Sequence, residues 1–290
     1  MKRRFAGAAV ALLLACAWPA AAAKAVVNGF RMHYEDHGHG EPVVFLHGFT
    51  LDSRMWDLQR GIAKKHRMIV ADMRFHGRSE APEDSTFTPA QAAEDVRALL
   101  DHLKIQRAHL VGLSMGGGYA LETALRYPER ISSLTLASSS IQGIKTPPEA
   151  MAAFMKGVAA YPNEGADGFR RAWLADPLFA HATAKPALRR ELEAMVGAYN
   201  VDALFRVMAK RKPESPASQL DHLGEVKVPT LVMVGALDAP HMIQAGEEAA
   251  KRIPGARKIV YADTGHMINM EQPDKFNRDL EAFLRLNAGR

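Results

Sequence analysis

The sequence predicts an α/β architecture, a mostly parallel central sheet flanked by helices, with a helical segment inserted after the sixth strand. Two patterns carry that expectation. Short apolar, β-rich runs alternate with longer stretches of helical spacing, as parallel strands joined by crossover helices require. The alternation then fails between Ile141 and His222, which offers helical candidates but no buried strand. At 290 residues, 48% of them hydrophobic, the chain is long enough to bury one large core.

The first residues read as a leader. Lys2, Arg3 and Arg4 precede an apolar run from Phe5 to Trp18, followed by Pro19 and the small residues Ala20 to Ala23. This is the layout of a secretory signal peptide spanning 1–23 and cut after Ala23, which implies a periplasmic or secreted protein. The run is too short and too alanine-rich for a membrane span. Its removal takes three positive charges, so the formal balance of +5 falls to about +2 and leaves little attraction for nucleic acid. The single cysteine, Cys16, falls within the leader, so the mature domain has no thiol for a disulfide or a nucleophile. Leu13-Leu14-Ala15-Cys16 also resembles a lipoprotein cleavage box, which makes a lipid anchor at Cys16 the alternative. Leu14 and the apolar residues that follow fit that box poorly.

Val26 to Phe30 and Arg31 to Asp36 read as a hairpin around Asn28-Gly29, a pair suited to positive φ. The runs Val43–Leu46, Met68–Ala71, Ala108–Val111, Leu134–Ala137, Thr230–Val234 and Lys258–Tyr261 lack polar alternation, as strands buried on both faces do. Pro89 to Leu103 predicts a helix capped by Thr88, with Val96, Leu99, Leu100 and Leu103 on one face. Pro273 to Leu286 repeats that spacing as the closing helix. Between the last two core strands and the first six, Pro148–Ala160, Ala166–Leu174 and Pro186–Lys212 predict helices interrupted by Pro162, Pro177 and Pro186. The domain plan is therefore a core of 24–140 and 223–290 with a helical lid at 141–222 over the sheet's carboxyl edge.

The chemistry gathers at strand ends. Gly112-Leu113-Ser114-Met115-Gly116 lies between a strand ending at Val111 and a helix from about Met115 to Arg126, the context of a nucleophile elbow. Glycines flank the serine because a side chain there would collide with the adjoining strand or helix. A serine hydroxyl is protonated at neutral pH and needs a base. His266 stands after the last strand, where it can reach over the sheet edge. Asp238 leaves the end of the preceding strand and can fix the imidazole tautomer. Asp263, three residues before the histidine, would have to fold back within one short loop. The strand Leu134–Ala137 is followed by Ser138-Ser139-Ser140, which offers no carboxylate. An oxyanion would be met by two backbone N–H groups, from Met115 and from Phe49 in His47-Gly48-Phe49-Thr50. His47 is expected to order that loop through hydrogen bonds and not to react.

Taken in order, His47-Gly48-Phe49, Asp72-Met73-Arg74-Phe75-His76-Gly77-Arg78-Ser79, the serine elbow, Gly235–Asp238 and Gly265-His266 resemble the α/β-hydrolase fold family over the whole mature chain. Leu51, Met55 and Trp56 look like its esterase, enol-lactonase and cofactor-free haloperoxidase branches. Phe75 departs from a frequent glycine and puts the local loop shape in doubt. The resemblance implies acyl transfer through Ser114, His266 and Asp238 on a small-molecule ester or lactone. A serine at the elbow disfavours branches that use an aspartate nucleophile, and Leu113 stands where carbon-carbon bond hydrolases often carry asparagine. A carbon-carbon bond hydrolase or a perhydrolase of the same fold, or a slow-turnover ligand-binding protein, are the alternatives. No zinc-like spacing and no phosphate-cradling loop occur, so neither metal nor nucleotide cofactor is expected. Phe49, Met115, Trp173 and Met267 are the candidate substrate contacts, with Phe154, Met155, Leu174, Phe179 and Met195 as further apolar residues of the lid. Lys210-Arg211-Lys212 reads as a solvated charge run.

Overall fold

Asn28 and Gly29 take φ of 44° and 81°. Two left-handed residues make the tight turn that matches strand twist, and they join β1 (Ala21–Val27) to β2 (Phe30–His37) as an antiparallel hairpin. The computed structural model describes residues 21–83, 88–210 and 218–289. Cys16 and most of the expected leader lie outside these residues. β1 begins at Ala21, so a chain cut after Ala23 would keep Lys24–Val27 of that strand.

β3 (Pro42–Leu46), β4 (Arg67–Ala71), β5 (Ala108–Leu113), β6 (Ile131–Ala137), β7 (Thr230–Gly235) and β8 (Arg257–Tyr261) complete one eight-stranded sheet in the order β1-β2-β4-β3-β5-β6-β7-β8. β1 and β2 pair antiparallel, as do β2 and β4, and every other neighbour is parallel. From β3 the chain moves outward to β4, then returns to place β5 on β3's other side. Strand direction of travel reverses there, and such a switch opens a crevice at the strands' carboxyl ends. The expectation that Lys258–Tyr261 is buried on both faces is corrected: β8 is the outer strand, and only its last residue is fully covered.

Thr88 caps α1 (Pro89–His102) by accepting from the Gln91 N–H at 3.2 Å, and Pro89 occupies the first turn, where a missing N–H costs nothing. α2 (Met115–Arg126) starts one residue after Ser114. Between β6 and β7 the described residues are all helical or irregular: α3 (Ala152–Leu174), α4 (Ala180–Thr183), α5 (Pro186–Ala198), α6 (Val201–Lys210) and α7 (Gln219–His222). Pro162 lies inside α3, whose backbone breaks instead at Gly165, with φ 61°. The single helix expected from Pro186 to Lys212 is two, because Asn200 caps α6 by accepting from the Ala203 N–H at 3.0 Å. After β7 come α8 (Pro240–Arg252), α9 (Ile268–Glu271) and α10 (Pro273–Leu286). Apolar clusters fill both faces of the sheet, and a third, around Phe169, Tyr199, Val201 and Leu204, sits within the helical insertion. Among the described residues no helix is long and apolar enough to cross a membrane.

Candidate active site

Ser114 stands at the tip of β5 with φ 55° and ψ −119°, a conformation that L-residues rarely adopt. Only close approach of backbone to backbone holds such a turn. A Cβ on Gly112 would lie 2.2 Å from the Gly116 carbonyl oxygen, and one on Gly116 would lie 2.2 Å from that of Leu46. Glycine at both positions is therefore obligatory for the approach of α2 to β3 and β5. The Ser114 N–H donates to Ala137 O at 3.0 Å, and Ser140 N–H donates to Ser114 O at 3.0 Å, tying the elbow to the end of β6.

One strand beyond β6, Asp238 follows β7. Its carboxylate accepts the N–H of Ala239 at 2.7 Å, and both of its oxygens lie 3.0 Å from His266 Nδ1. The two loops are fastened by a Leu237 N–H bond to Thr264 O of 2.9 Å. Gly235 makes this docking possible, since a Cβ there would lie 2.0 Å from Gly265 O. Asp263 is exposed and takes no part. Ser114, Asp238 and His266 are 8%, 6% and 2% exposed, so all three are sheltered at the sheet's carboxyl edge.

The loop after β3 brings Phe49 to the same edge. His47 orders it: its Nε2 accepts the Met73 N–H at 2.9 Å, which leaves Nδ1–H to donate to Gly48 O at 2.8 Å. Below it, burial pushes the Asp72 carboxyl up, but hydrogen bonds from His33 and from the Arg78 and Ser53 amides, with the His47 ring nearby, outweigh that and hold it well below the usual carboxylate range. Phe75 adopts φ 70°, a left-handed position filled here without glycine. As the first residue of α2, Met115 has an N–H with no acceptor inside the helix.

The insertion reaches this loop through aromatic rings. Phe49 meets Trp173 and Tyr199 edge-on at 5.5 Å between centroids, and Phe154 at 6.2 Å. Trp173 Nε1–H donates to Thr50 Oγ1 at 2.7 Å, and the Thr50 hydroxyl donates to Phe49 O at 2.6 Å. Phe49, Met115 and Trp173 remain half-buried beside the centre. Met267 is fully buried in the apolar core cluster that also holds Phe179, Met195 and Met233. Leu174 is half-buried against that same cluster. Met155 points outward at 55% exposure. Lys210 donates to Glu83 O at 2.9 Å, while Arg211 and Lys212 lie outside the described residues.

Several residues near the centre gave no sequence signal. Asp176, beyond α3, is buried, which raises its carboxyl pKa against the opposing pull of the Leu178 amide and of His266 and His241. His241, in the first turn of α8, is driven toward its neutral form by burial, opposed by Asp238. Glu271 accepts the N–H groups of Gly265 and Met267, on either side of His266. Spacing conveys none of this, because these partners meet only once the chain has folded.

A family-wide sequence profile described as alpha/beta hydrolase fold matches residues 41–273. The chain belongs to the α/β-hydrolase family. Among curated relatives of this hydrolase, the 2-hydroxy-6-oxo-6-phenylhexa-2,4-dienoate hydrolase of Comamonas testosteroni is 31% identical over 268 residues, covering 89% of this chain and 93% of that protein. The enol-lactonase of Burkholderia xenovorans LB400 has a similar structure, with TM-score 0.75 at 28% identity, over 91% of this chain and all of the other. A thermophilic esterase from Thermogutta terrifontis superposes with TM-score 0.77 at 27% identity, over 92% and 99% of the two chains. The α/β hydrolase described here is thus of the esterase, lactonase or carbon-carbon hydrolase type.

Proposed function

We propose that this chain is a serine hydrolase that cleaves a carboxylic ester or lactone of a small, mainly apolar substrate, with Ser114 as nucleophile, His266 as base and Asp238 as its orienting acid. The observation that carries it is the approach of both Asp238 oxygens to His266 Nδ1, at the sheet edge that also holds the strained Ser114. With Nδ1 engaged, Nε2 takes the Ser114 proton as the hydroxyl attacks the carbonyl. The Phe49 and Met115 N–H groups hold the oxyanion. Collapse expels the alcohol, protonated by His266, and leaves an acyl-serine that water cleaves by the same steps. The rings of Phe49, Phe154 and Trp173 favour an apolar acyl or alcohol group under the insertion, which then acts as the lid. The leader adds that this substrate is met outside the cytoplasm.

The test is hydrolysis of a short-chain aryl ester by the wild type and Ser114→Ala. The variant is expected to lose at least about 10⁴-fold in kcat, as removal of a triad nucleophile does. Equal rates would sink the assignment, and a single stoichiometric burst from the wild type would favour a binding protein. A panel of acyl lengths and lactones then defines the substrate. The Comamonas relative favours carbon-carbon bond hydrolysis as the second reading. Leu113 weighs against it, and a vinylogous diketone included in the panel separates the two. Hydrogen peroxide as acceptor tests for perhydrolysis.

A further inference from the structure

We propose that Glu271 is the positioning residue for His266, holding the base by gripping the chain on both sides of it. The proposal rests on the assignment of His266 as base.

Glu271 is 8% exposed, and its carboxylate faces the loop and not solvent. One oxygen accepts the Gly265 N–H at 2.9 Å and the other accepts the Met267 N–H at 3.0 Å. Two amides separated by a single residue are thus held by one rigid planar group. The residue between them is His266, whose backbone is left little freedom to rotate. Hydrogen bonds to an ionised acceptor are about twice as strong as neutral ones, so this group restrains the loop more firmly than a hydroxyl or amide would.

The grip is itself anchored. Asn269, two residues before Glu271, donates to Met55 O at 2.8 Å and to Gln59 Oε1 at 3.1 Å, while Gln59 Nε2 donates back to Asn269 O at 3.0 Å. Short helix α9 is thereby fixed to the 3-10 helix Ser53–Lys64, which follows the Phe49 loop. The insertion presses on the same point. Lys185 Nζ donates to Glu271 O at 3.0 Å, and a Cβ on Gly265 would lie 2.8 Å from His181 Cβ. His266 therefore has two independent restraints, Asp238 on its ring and Glu271 on its backbone.

Glu271→Gln keeps the size but turns one acceptor into an N–H donor facing another N–H. Glu271→Asp keeps both acceptors and retracts them by one methylene. On the aryl ester, Glu271→Gln is expected to lower kcat on the order of 10- to 100-fold with KM within about two-fold, since a base displaced by about 1 Å costs that much while binding is untouched. Glu271→Asp should recover part of the loss. Near-UV circular dichroism of both variants should match the wild type. A wild-type kcat in Glu271→Gln overturns the proposal. So does a variant whose kcat, KM and near-UV spectrum all fail together, with no recovery in Glu271→Asp, for then the carboxylate is only scaffold. His266→Ala, run alongside, separates the two levels. If that variant retains wild-type activity the base assignment fails, whereas inactive His266→Ala with fully active Glu271→Gln sinks only the role of Glu271.

Discussion

The serine elbow and the helical insertion meet at Phe49, but they are held in place by different forces. At the elbow, backbone touches backbone: Cβ atoms on Gly112 and Gly116 would each lie 2.2 Å from a main-chain carbonyl oxygen, and where the Asp238 and His266 loops dock a Cβ on Gly235 would lie 2.0 Å from one. In the insertion, Gly197 of α5 has nothing within 4 Å of such a Cβ, and the docking of α3 relies on the side chains of Trp173, Phe154 and Tyr199. Main-chain contacts admit no substitution. Ring contacts in a packed cluster can be exchanged for others of similar volume at modest cost. A hydrolase assembled this way can keep its reacting geometry while the surface over it changes.

The sharpest way to break that contrast is one methyl group placed in each region. Gly116→Ala drives a Cβ into the Leu46 and His47 carbonyls, on the strand that leads directly to Phe49. Overpacking against rigid backbone should cost about 3 kcal/mol and remove most of the turnover expected on the aryl ester. Gly197→Ala should instead stabilise by up to about 1 kcal/mol, because it removes backbone entropy in an exposed helix without a clash. Urea midpoints for the two variants check both signs. A Gly116→Ala protein as stable as the wild type would show that the elbow is softer than its contacts imply.

His76 lies between the loop after β3 and the insertion, its ring 4.9 Å from that of His47 and 4.8 Å from that of Tyr199, with Nδ1 2.9 Å from Arg74 O. Burial, helped by repulsion from His47, lowers its pKa from 6.5 to about 3. The unfolded chain therefore binds a proton there that the folded chain refuses. Its contribution to stability is complete above about pH 6.5 and is lost as pH falls toward about 3, at up to about 1.4 kcal/mol per pH unit. Unfolding free energies measured between about pH 7 and about pH 4 should show this slope, and His76→Phe should flatten it by that amount. An unchanged slope would mean that the ring is not the group titrating.

The contrast also explains what was legible beforehand. The positions of Ser114, Asp238 and His266 at strand ends could be read because each belongs to a local pattern, a strand end followed by residues that only certain backbone turns accept. The hairpin at Asn28-Gly29 was legible for the same reason. β8 misled because apolar composition does not distinguish a central strand from the outermost one, and Val260 is 50% exposed. The break at Tyr199 and Asn200 was hidden within continuous helical spacing, overridden by one side-chain cap and by the burial of Tyr199 under Phe49. Glu271 was invisible because its partners are amide groups, which carry no sequence identity.

Trp173 offers the smallest effect and the finest division between the regions. Its indole N–H reaches Thr50, which sits at φ 62° and passes a second hydrogen bond to Phe49 O. Trp173→Phe keeps an aromatic ring against Phe49 and deletes only the donor, a loss of about 1 kcal/mol for one hydrogen bond. If the bond serves the insertion, substrate binding loosens while the Phe49 loop, held by His47 and Met73, stays in place. The expected result is a KM raised about five-fold, the equivalent of that energy, with kcat within about two-fold. Initial rates on the aryl ester measure both. A fall in kcat at constant KM would instead place the Trp173 donor with the elbow, and would mean that the side chains of the insertion help to set the geometry of the Phe49 loop.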